Sequence, residues 1–351
     1  MDRRTVLGGM VGAAAMPAVA IQGAPRRPYK VIACEEAFST PEIVAASRRL
    51  FGQPSMRSGP IAGPFMPNLL DLGEGRIAGM DAAGIDIQVL AVTSPGVQNF
   101  EPAEALSLAR AANDRLADAA RRFPGRYVGL ATLAPQAAAE SAKELERCVR
   151  TLGFKGGLIN SHTNNLYLDD PKFWPILEAA QALDVPLYLH PREPAQPREQ
   201  KVVIPGFNVG WGYGVETGTH VLHLIAAGVF DRFPRLRMAV GHLGETLPFI
   251  LDRLDNRFQW EGRLFPVKTL EQLPSAYIRR NLVVTTSGMN YKVPMQAAIA
   301  ALGIDKVLFA ADHPMEDEAE AVQLAEAVPM SAADRAKLFE GNARRFFGIT
   351  A

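Results

Sequence analysis

The chain has 351 residues, and its 37 Lys and Arg balance 37 Asp and Glu, so it lacks the basic footprint of a nucleic-acid binder. Apolar residues make up 48% and charged residues 21%, which supplies a buried core and excludes a disordered chain. Two cysteines, Cys34 and Cys148, exclude a disulfide scaffold and a Cys-rich zinc site, and both are expected as buried free thiols.

The first twenty residues stand apart. Arg3-Arg4 precedes a soft apolar run from Val6 to Ala20 that ends in Ala18-Val19-Ala20, a small-x-small cleavage pattern. This reads as a twin-arginine export signal over 1–20, which places the mature protein in the periplasm or outside the cell. The run is short and weakly hydrophobic for a spanning helix, and no other stretch is long and apolar enough, so no membrane association is expected after cleavage. From residue 29 to 351 a single domain is expected.

Within that domain short apolar runs alternate with amphipathic helical stretches. The runs are Lys30–Cys34, Ile85–Val92, Tyr127–Thr132, Gly157–Asn160, Pro186–His190, Arg237–Val240, Asn281–Thr285 and Lys306–Ala310. Helices are expected over Pro102–Phe123, Ala137–Leu152, Pro171–Leu183 and Glu216–Phe230, with closing helices in Ala332–Phe347. Strands buried on both faces read as continuous apolar runs. Eight such β/α alternations predict a (β/α)8 TIM barrel. A doubly wound sheet is the alternative, but neither G-x-G-x-x-G nor G-x-x-x-x-G-K-[ST] is present. Two stretches, 49–68 and 191–215, break the repeat and are expected as loops at the barrel mouth.

Reactive residues of such barrels sit at the C-terminal ends of strands. Those ends carry Cys34-Glu35-Glu36-Ala37, Asn160-Ser161-His162, His190, Gly241-His242, Thr285-Thr286-Ser287 and Ala311-Asp312-His313. Carboxylates and imidazoles converging at one mouth point to a divalent metal site. Glu35, His190 and Asp312 are the candidate ligands and His242 the candidate catalytic base or acid, with His162 a weaker candidate for contact. Each has a blander reading: a buried structural carboxylate, a satisfied core histidine, a helix cap or a backbone-bonded ring. His220 and His223 fall within an amphipathic helix and are expected to be structural or interfacial. Glu36 is set aside, because alternation turns it away from Glu35.

Several motifs appear in order: Glu35-Glu36-Ala37-Phe38, Gly153-Phe154-Lys155-Gly156, Pro186-Leu187-Tyr188-Leu189-His190-Pro191, Gly214-Val215-Glu216-Thr217, Phe230-Asp231-Arg232-Phe233-Pro234, Gly241-His242-Leu243-Gly244-Glu245 and Ala311-Asp312-His313-Pro314. Together they resemble the amidohydrolase-2 family of the amidohydrolase superfamily, from about residue 30 to the end. Within it the chain is most similar to the cofactor-free, metal-dependent aromatic decarboxylases of the 5-carboxyvanillate, 2,3-dihydroxybenzoate and γ-resorcylate types. The resemblance implies that Glu35, His190 and Asp312 hold the metal, that His242 and Glu245 form a catalytic pair, and that Arg253 is an active-site arginine. The first-strand pattern is Glu-x-Ala, as in the carboxyvanillate and dihydroxybenzoate types, not His-x-His or Glu-x-His. One fewer protein ligand favours Mn or Mg over a His-rich Zn site. Two departures separate the chain from the carboxyvanillate type. His313-Pro314-Met315 replaces Tyr-Pro-Tyr, and in the loop 49–68 only Arg57 approaches the position of an arginine used there.

The implied activity is non-oxidative decarboxylation of an ortho-hydroxy aromatic acid, with Asp312 protonating the ring carbon, His242 and Glu245 orienting or moving protons, and Arg253 stabilising negative charge. The alternative on the same framework is hydrolysis of a lactone, ester or amide by a metal-activated water. The expected partner is a small aromatic carboxylic acid. A homo-dimer or homo-tetramer is expected from the resemblance, with the apolar helix around His220–Phe230 as a candidate interface.

Overall fold

The computed structural model describes residues 27–52, 63–195 and 202–350. The expected export segment 1–20 and Arg57 lie outside the described residues.

Each expected strand forms within a few residues of its predicted bounds. They are β1 (Ile32–Phe38), β2 (Ile87–Val92), β3 (Tyr127–Gly129), β4 (Ala131–Thr132), β5 (Gly157–Asn160), β6 (Leu187–His190), β7 (Met238–Val240), β8 (Leu282–Thr285) and β9 (Val307–Leu308). The expected third strand is split at Leu130, so β3 and β4 are two halves of one extended segment. All pairings are parallel, in the orders β1-β2-β3 and β4 through β9. Leu130 links the two ladders: its N–H donates to Leu90 O at 2.9 Å, and Ala131 N donates to Gly156 O at 2.8 Å. The opposite gap is bridged where Cys34 N donates to Phe309 O at 3.0 Å and Ala37 N to His313 O at 2.8 Å. The strands therefore close on themselves as a (β/α)8 barrel.

The buried residues divide as such a barrel requires. One cluster fills the interior with Ile32, Cys34, Val89, Leu130, Leu158, Tyr188, Ala239, Val283 and Leu308, and the C-terminal Phe346, Phe347 and Ile349 pack onto it. The larger cluster lies between the strands and the surrounding helices, among them Pro102–Arg122, Ala138–Arg150, Trp174–Ala182 and Tyr213–Ala226. Strands covered on both faces have no polar side, which is why their sequences read as unbroken apolar runs.

One local irregularity decides the chemistry. In β1, Ala33 pairs with Gln88 but Glu36 pairs with Leu90, so β1 carries one extra residue. With Ile32 and Cys34 facing inward, strict alternation would send Glu36 inward as well. The bulge shifts the phase, aims Glu35 into the barrel and turns Glu36 toward the helical layer. Re-aiming a side chain beside a reactive site is a common use of a bulge.

Candidate active site

Glu35 is buried, and its two oxygens have different surroundings. Oε2 accepts from Tyr188 OH, Ser287 Oγ and, at 2.6 Å, Thr285 Oγ1. Oε1 has no hydrogen-bond partner and lies 3.7 Å from His190 Nε2. His190 sits on the C-terminal end of β6, two residues beyond Tyr188, so both side chains face the interior. Its Nδ1 is 2.8 Å from Pro191 O, which fixes the ring with a proton on Nδ1 and a lone pair on Nε2. Burial holds His190 below the usual imidazole range and therefore neutral, although Glu35 pulls the other way. Burial also pushes Glu35 up, but His242, His190, Ser287 and Thr285 outweigh it and keep the carboxylate ionised.

The second half of the site lies beside the first. His242 follows β7 and places Nδ1 2.7 Å from Glu245 Oε1 and Nε2 3.8 Å from Asp312 Oδ2. The His242 backbone N–H donates to Ser287 Oγ at 3.1 Å, so Ser287 connects Glu35 to His242. Burial disfavours a charged His242, yet Glu245, Asp312 and Glu35 lift it well above the ordinary imidazole range. Burial raises the Asp312 carboxyl to about 6, against the pull of His242. Gly241 allows this packing, because a Cβ there would stand 2.7 Å from Glu35 Oε1. The backbone is tightly bent, with left-handed φ at His242 (48°), Leu243 (56°), Glu245 (53°), Thr246 (69°) and Asp312 (76°). Such conformations cost of order 1–3 kcal/mol each in non-glycine residues and gather at functional sites.

The donor set fits a divalent cation at Glu35 and His190. Two ligands each about 2.0–2.2 Å from one ion can stand no more than roughly 4.4 Å apart, and the 3.7 Å between Glu35 Oε1 and His190 Nε2 meets that limit. Both atoms present lone pairs with no competing donor from the protein. Among the described residues no group of three or more His, Cys, Asp or Glu is gathered closely enough to enclose an ion. The fit therefore rests on this pair, with Asp312 across from it.

Other expected residues fall elsewhere. Arg253 is exposed on the helix Leu251–Glu261 and lines a surface groove with Leu222, Ile225, Leu254 and Phe258, and none of Glu35, His190, His242 and Asp312 lines it. Within a single copy of the chain Arg253 therefore lines that groove and not the pocket that holds Glu35 and His190. His162 is buried, held below the usual range at about 3 chiefly by burial, and bonded through Nε2 to Glu193 O at 3.0 Å. His220 is structural: its Nε2 accepts from Leu168 N at 2.9 Å, and its Nδ1 is 3.2 Å from Ser161 Oγ. His223 is half-exposed beside Asp169. Cys34 and Cys148 are buried free thiols.

Sequence reasoning missed the support around these residues. Tyr188 carries a legible signal, since a phenol two positions before a ligand on one strand must face the same interior. Glu36 does not, because its role depends on the bulge. Its carboxylate accepts from Ala311 N and His313 N, both at 2.9 Å.

Comparison with known proteins agrees with this geometry. The sequence pattern of the amidohydrolase family matches residues 69–349. The chain is 36% identical over 335 residues to a γ-resorcylate decarboxylase from Polaromonas sp., covering 91% of this chain and 98% of the relative. Its fold matches 5-carboxyvanillate decarboxylase from Sphingomonas paucimobilis with a TM-score of 0.88 and 39% identity, over 92% of this chain and 99% of that one. It also matches the 5-carboxyvanillate decarboxylase of Novosphingobium aromaticivorans, complexed with manganese and 4-hydroxy-3-methoxy-5-nitrobenzoic acid. There the TM-score is 0.85 at 40% identity, over 92% and 97% of the two chains.

Proposed function

The chain belongs to the amidohydrolase family, and from that premise we propose that it is a metal-dependent, non-oxidative decarboxylase of an ortho-hydroxy aromatic acid. The observation that supports this reading most is the pairing of Glu35 with His190 beside the Glu245–His242–Asp312 chain. Similarity to decarboxylases over nearly the whole length of both chains adds to it.

Glu35, His190 and Asp312 would hold the divalent ion, Mn or Mg in preference to Zn. When bound, such an ion supplies Lewis-acid attraction for a phenolate and a carboxylate oxygen. The protein supplies the rest. Tyr188, Thr285 and Ser287 take up one oxygen of Glu35 and leave the other directed at the site. Asp312 in its acid form gives a proton to the ring carbon that bears the carboxylate. The carbon–carbon bond then breaks, CO2 leaves, and the bonding electrons return to the ring. His242 returns a proton to Asp312 through Nε2 and takes one up again from solvent, and Glu245 orients the imidazole and favours its charged form.

Two further expectations belong to this reading. The protein forms a homo-dimer or homo-tetramer; most apolar side chains of the expected interface around His220–Phe230 are buried within one copy, so the contact is assigned to Phe249, Trp260, Leu264 and Phe265, which are between 47% and 60% exposed. Arg253 is exposed on the helix that also carries Trp260. Twin-arginine export, with cleavage after Ala20, rests on the N-terminal residues. Among the described residues no helix is long and apolar enough to cross a membrane.

The test is incubation of the metal-loaded protein with a panel of ortho-hydroxybenzoates, following CO2 and ultraviolet absorbance. Turnover that stops with a chelator and returns with Mn2+ is expected. Acid release from lactones or esters without CO2 would assign the site to hydrolysis instead.

A further inference from the structure

The two backbone amides that flank Asp312 donate to a single side chain. Ala311 N lies 2.9 Å from Glu36 Oε1, and His313 N lies 2.9 Å from Glu36 Oε2. In a parallel ladder the neighbouring strand's carbonyls take such donors. Here the neighbour is the bulged part of β1, which contributes backbone bonds only at Cys34 N to Phe309 O and Ala37 N to His313 O. Between them the two oxygens of the Glu36 carboxyl stand in for the strand. Asp312 is held from its other side too, because its carbonyl accepts from Met315 N at 2.8 Å and Glu316 N at 3.2 Å. The residue so fixed has a left-handed φ of 76°, a region uncommon outside glycine and commoner for aspartate than for most residues.

We infer that Glu36 is a positioning residue: by bracketing Asp312 at both flanking amides, it fixes where the Asp312 carboxyl stands relative to His242 and to the Glu35–His190 pair. Glu36 lies beside a buried polar layer: burial and then Glu318 push its carboxyl up to about 8, against the pull of the Ala311 and His313 amides and of Arg76. Glu318 Oε2 is 3.2 Å from His313 Nδ1, and Glu318 Oε1 accepts from Gln88 Nε2. Arg76 donates to Gln88 Oε1 at 2.6 Å and to Ala37 O at 2.8 Å. A buried carboxylate is weak evidence for stability in itself, because a well-packed apolar residue serves as well or better. What an apolar residue cannot do is accept two backbone amides on either side of one reacting carboxyl.

The inference rests on the decarboxylase reading, and its test separates the two. Glu36→Gln keeps the size but offers one oxygen where two are used, and it turns an amide N–H2 toward a backbone N–H. We expect kcat to fall about 100-fold while KM changes less than about threefold. Mn2+ affinity is expected to fall about 10-fold, measured by titration without substrate. Amide hydrogen exchange across residues 309–316 should rise. Asn113→Ala is the comparison: it removes buried bonds to Thr132 and Glu144 far from Asp312, and it should lower Tm with kcat within about twofold of the parent. Should Glu36→Gln fail to fold, Glu36→Asp, which shortens the reach by one carbon, is measured with the same directions expected. Wild-type kcat and Mn2+ affinity in the folded variant would overturn the inference, as would losses no larger than those of Asn113→Ala at equal Tm. If the parent protein binds Mn2+ but releases no CO2, the decarboxylase reading fails, and Mn2+ affinity and exchange still decide the role of Glu36.

Discussion

His242 Nδ1 lies 2.7 Å from Glu245 Oε1, and the opposite edge of the same ring faces Asp312 Oδ2 at 3.8 Å. One imidazole thus connects a carboxylate that keeps it charged to a carboxyl that burial keeps partly protonated. Glu245→Gln removes the charge and leaves the shape. The raised pKa of His242 should then fall, so the ring loses its proton at lower pH than in the parent. We expect kcat to drop about 10- to 100-fold and its alkaline limb to move to lower pH. A pH–rate profile of the two proteins checks this, and an unmoved limb would separate His242 from the proton path.

Much of this arrangement was legible in the sequence. Eight apolar runs alternating with helical stretches specify eight strands, because a barrel strand has helices on one side and packed side chains on the other. His190 and Asp312 were legible because strand ends are where barrels keep polar residues. Glu36 was not. Its direction is set by one extra residue in β1, and no residue pattern in Cys34-Glu35-Glu36-Ala37 marks where that residue inserts. Arg253 is carried by a spacing from His242 that matches a family motif, and spacing does not specify which surface of a single copy the side chain lines; here it is an exposed groove.

Tyr188 reaches Glu35 from inside the barrel, with Thr285 and Ser287 completing the set on the same oxygen. Tyr188→Phe keeps the ring and deletes the donor. Mn2+ affinity should weaken about 10-fold or more, as when an outer partner of a metal ligand is lost. The variant should stay folded, with a stability loss of about 1 kcal/mol. Mn2+ titration alongside urea unfolding checks both, and unchanged affinity would mean that Thr285 and Ser287 suffice.

Gly241 is the point where the backbone passes closest to Glu35. Gly241→Ala would set a methyl group 2.7 Å from Glu35 Oε1, the oxygen left free for a cation. The carboxylate must turn away, so Mn2+ binding and turnover should both be lost while the barrel remains folded. Circular dichroism and metal analysis of the purified variant check this, and a variant that retains bound Mn2+ would contradict it.

His220 stays neutral in the folded protein because burial, and then its neighbours His162 and His223, push it well below the ordinary imidazole range. The sign follows. Above pH about 6.5 the ring is neutral in both folded and unfolded states. Below it the unfolded chain takes up a proton that the folded chain refuses, so the parent loses stability by up to about 1.4 kcal/mol per pH unit from this group. His220→Gln lacks that group. Its stability deficit relative to the parent should therefore shrink as pH falls from 7 toward 5. Urea unfolding of both proteins across that range checks it, and a constant deficit would contradict the neutral assignment.

In the proposed reaction Asp312 delivers the proton that replaces CO2 on the ring. The most direct measurement is turnover of an ortho-hydroxybenzoate by Mn2+-loaded parent and Asp312→Asn proteins in D2O, with CO2 and the labelled product both quantified. The parent should release CO2 and place one deuterium on the carbon that carried the carboxylate. The variant, still folded, should turn over at least about 100-fold more slowly, since such general acids contribute about 10²–10⁴ in rate. An Asp312→Asn protein that decarboxylates at close to the parent rate would contradict that role for Asp312.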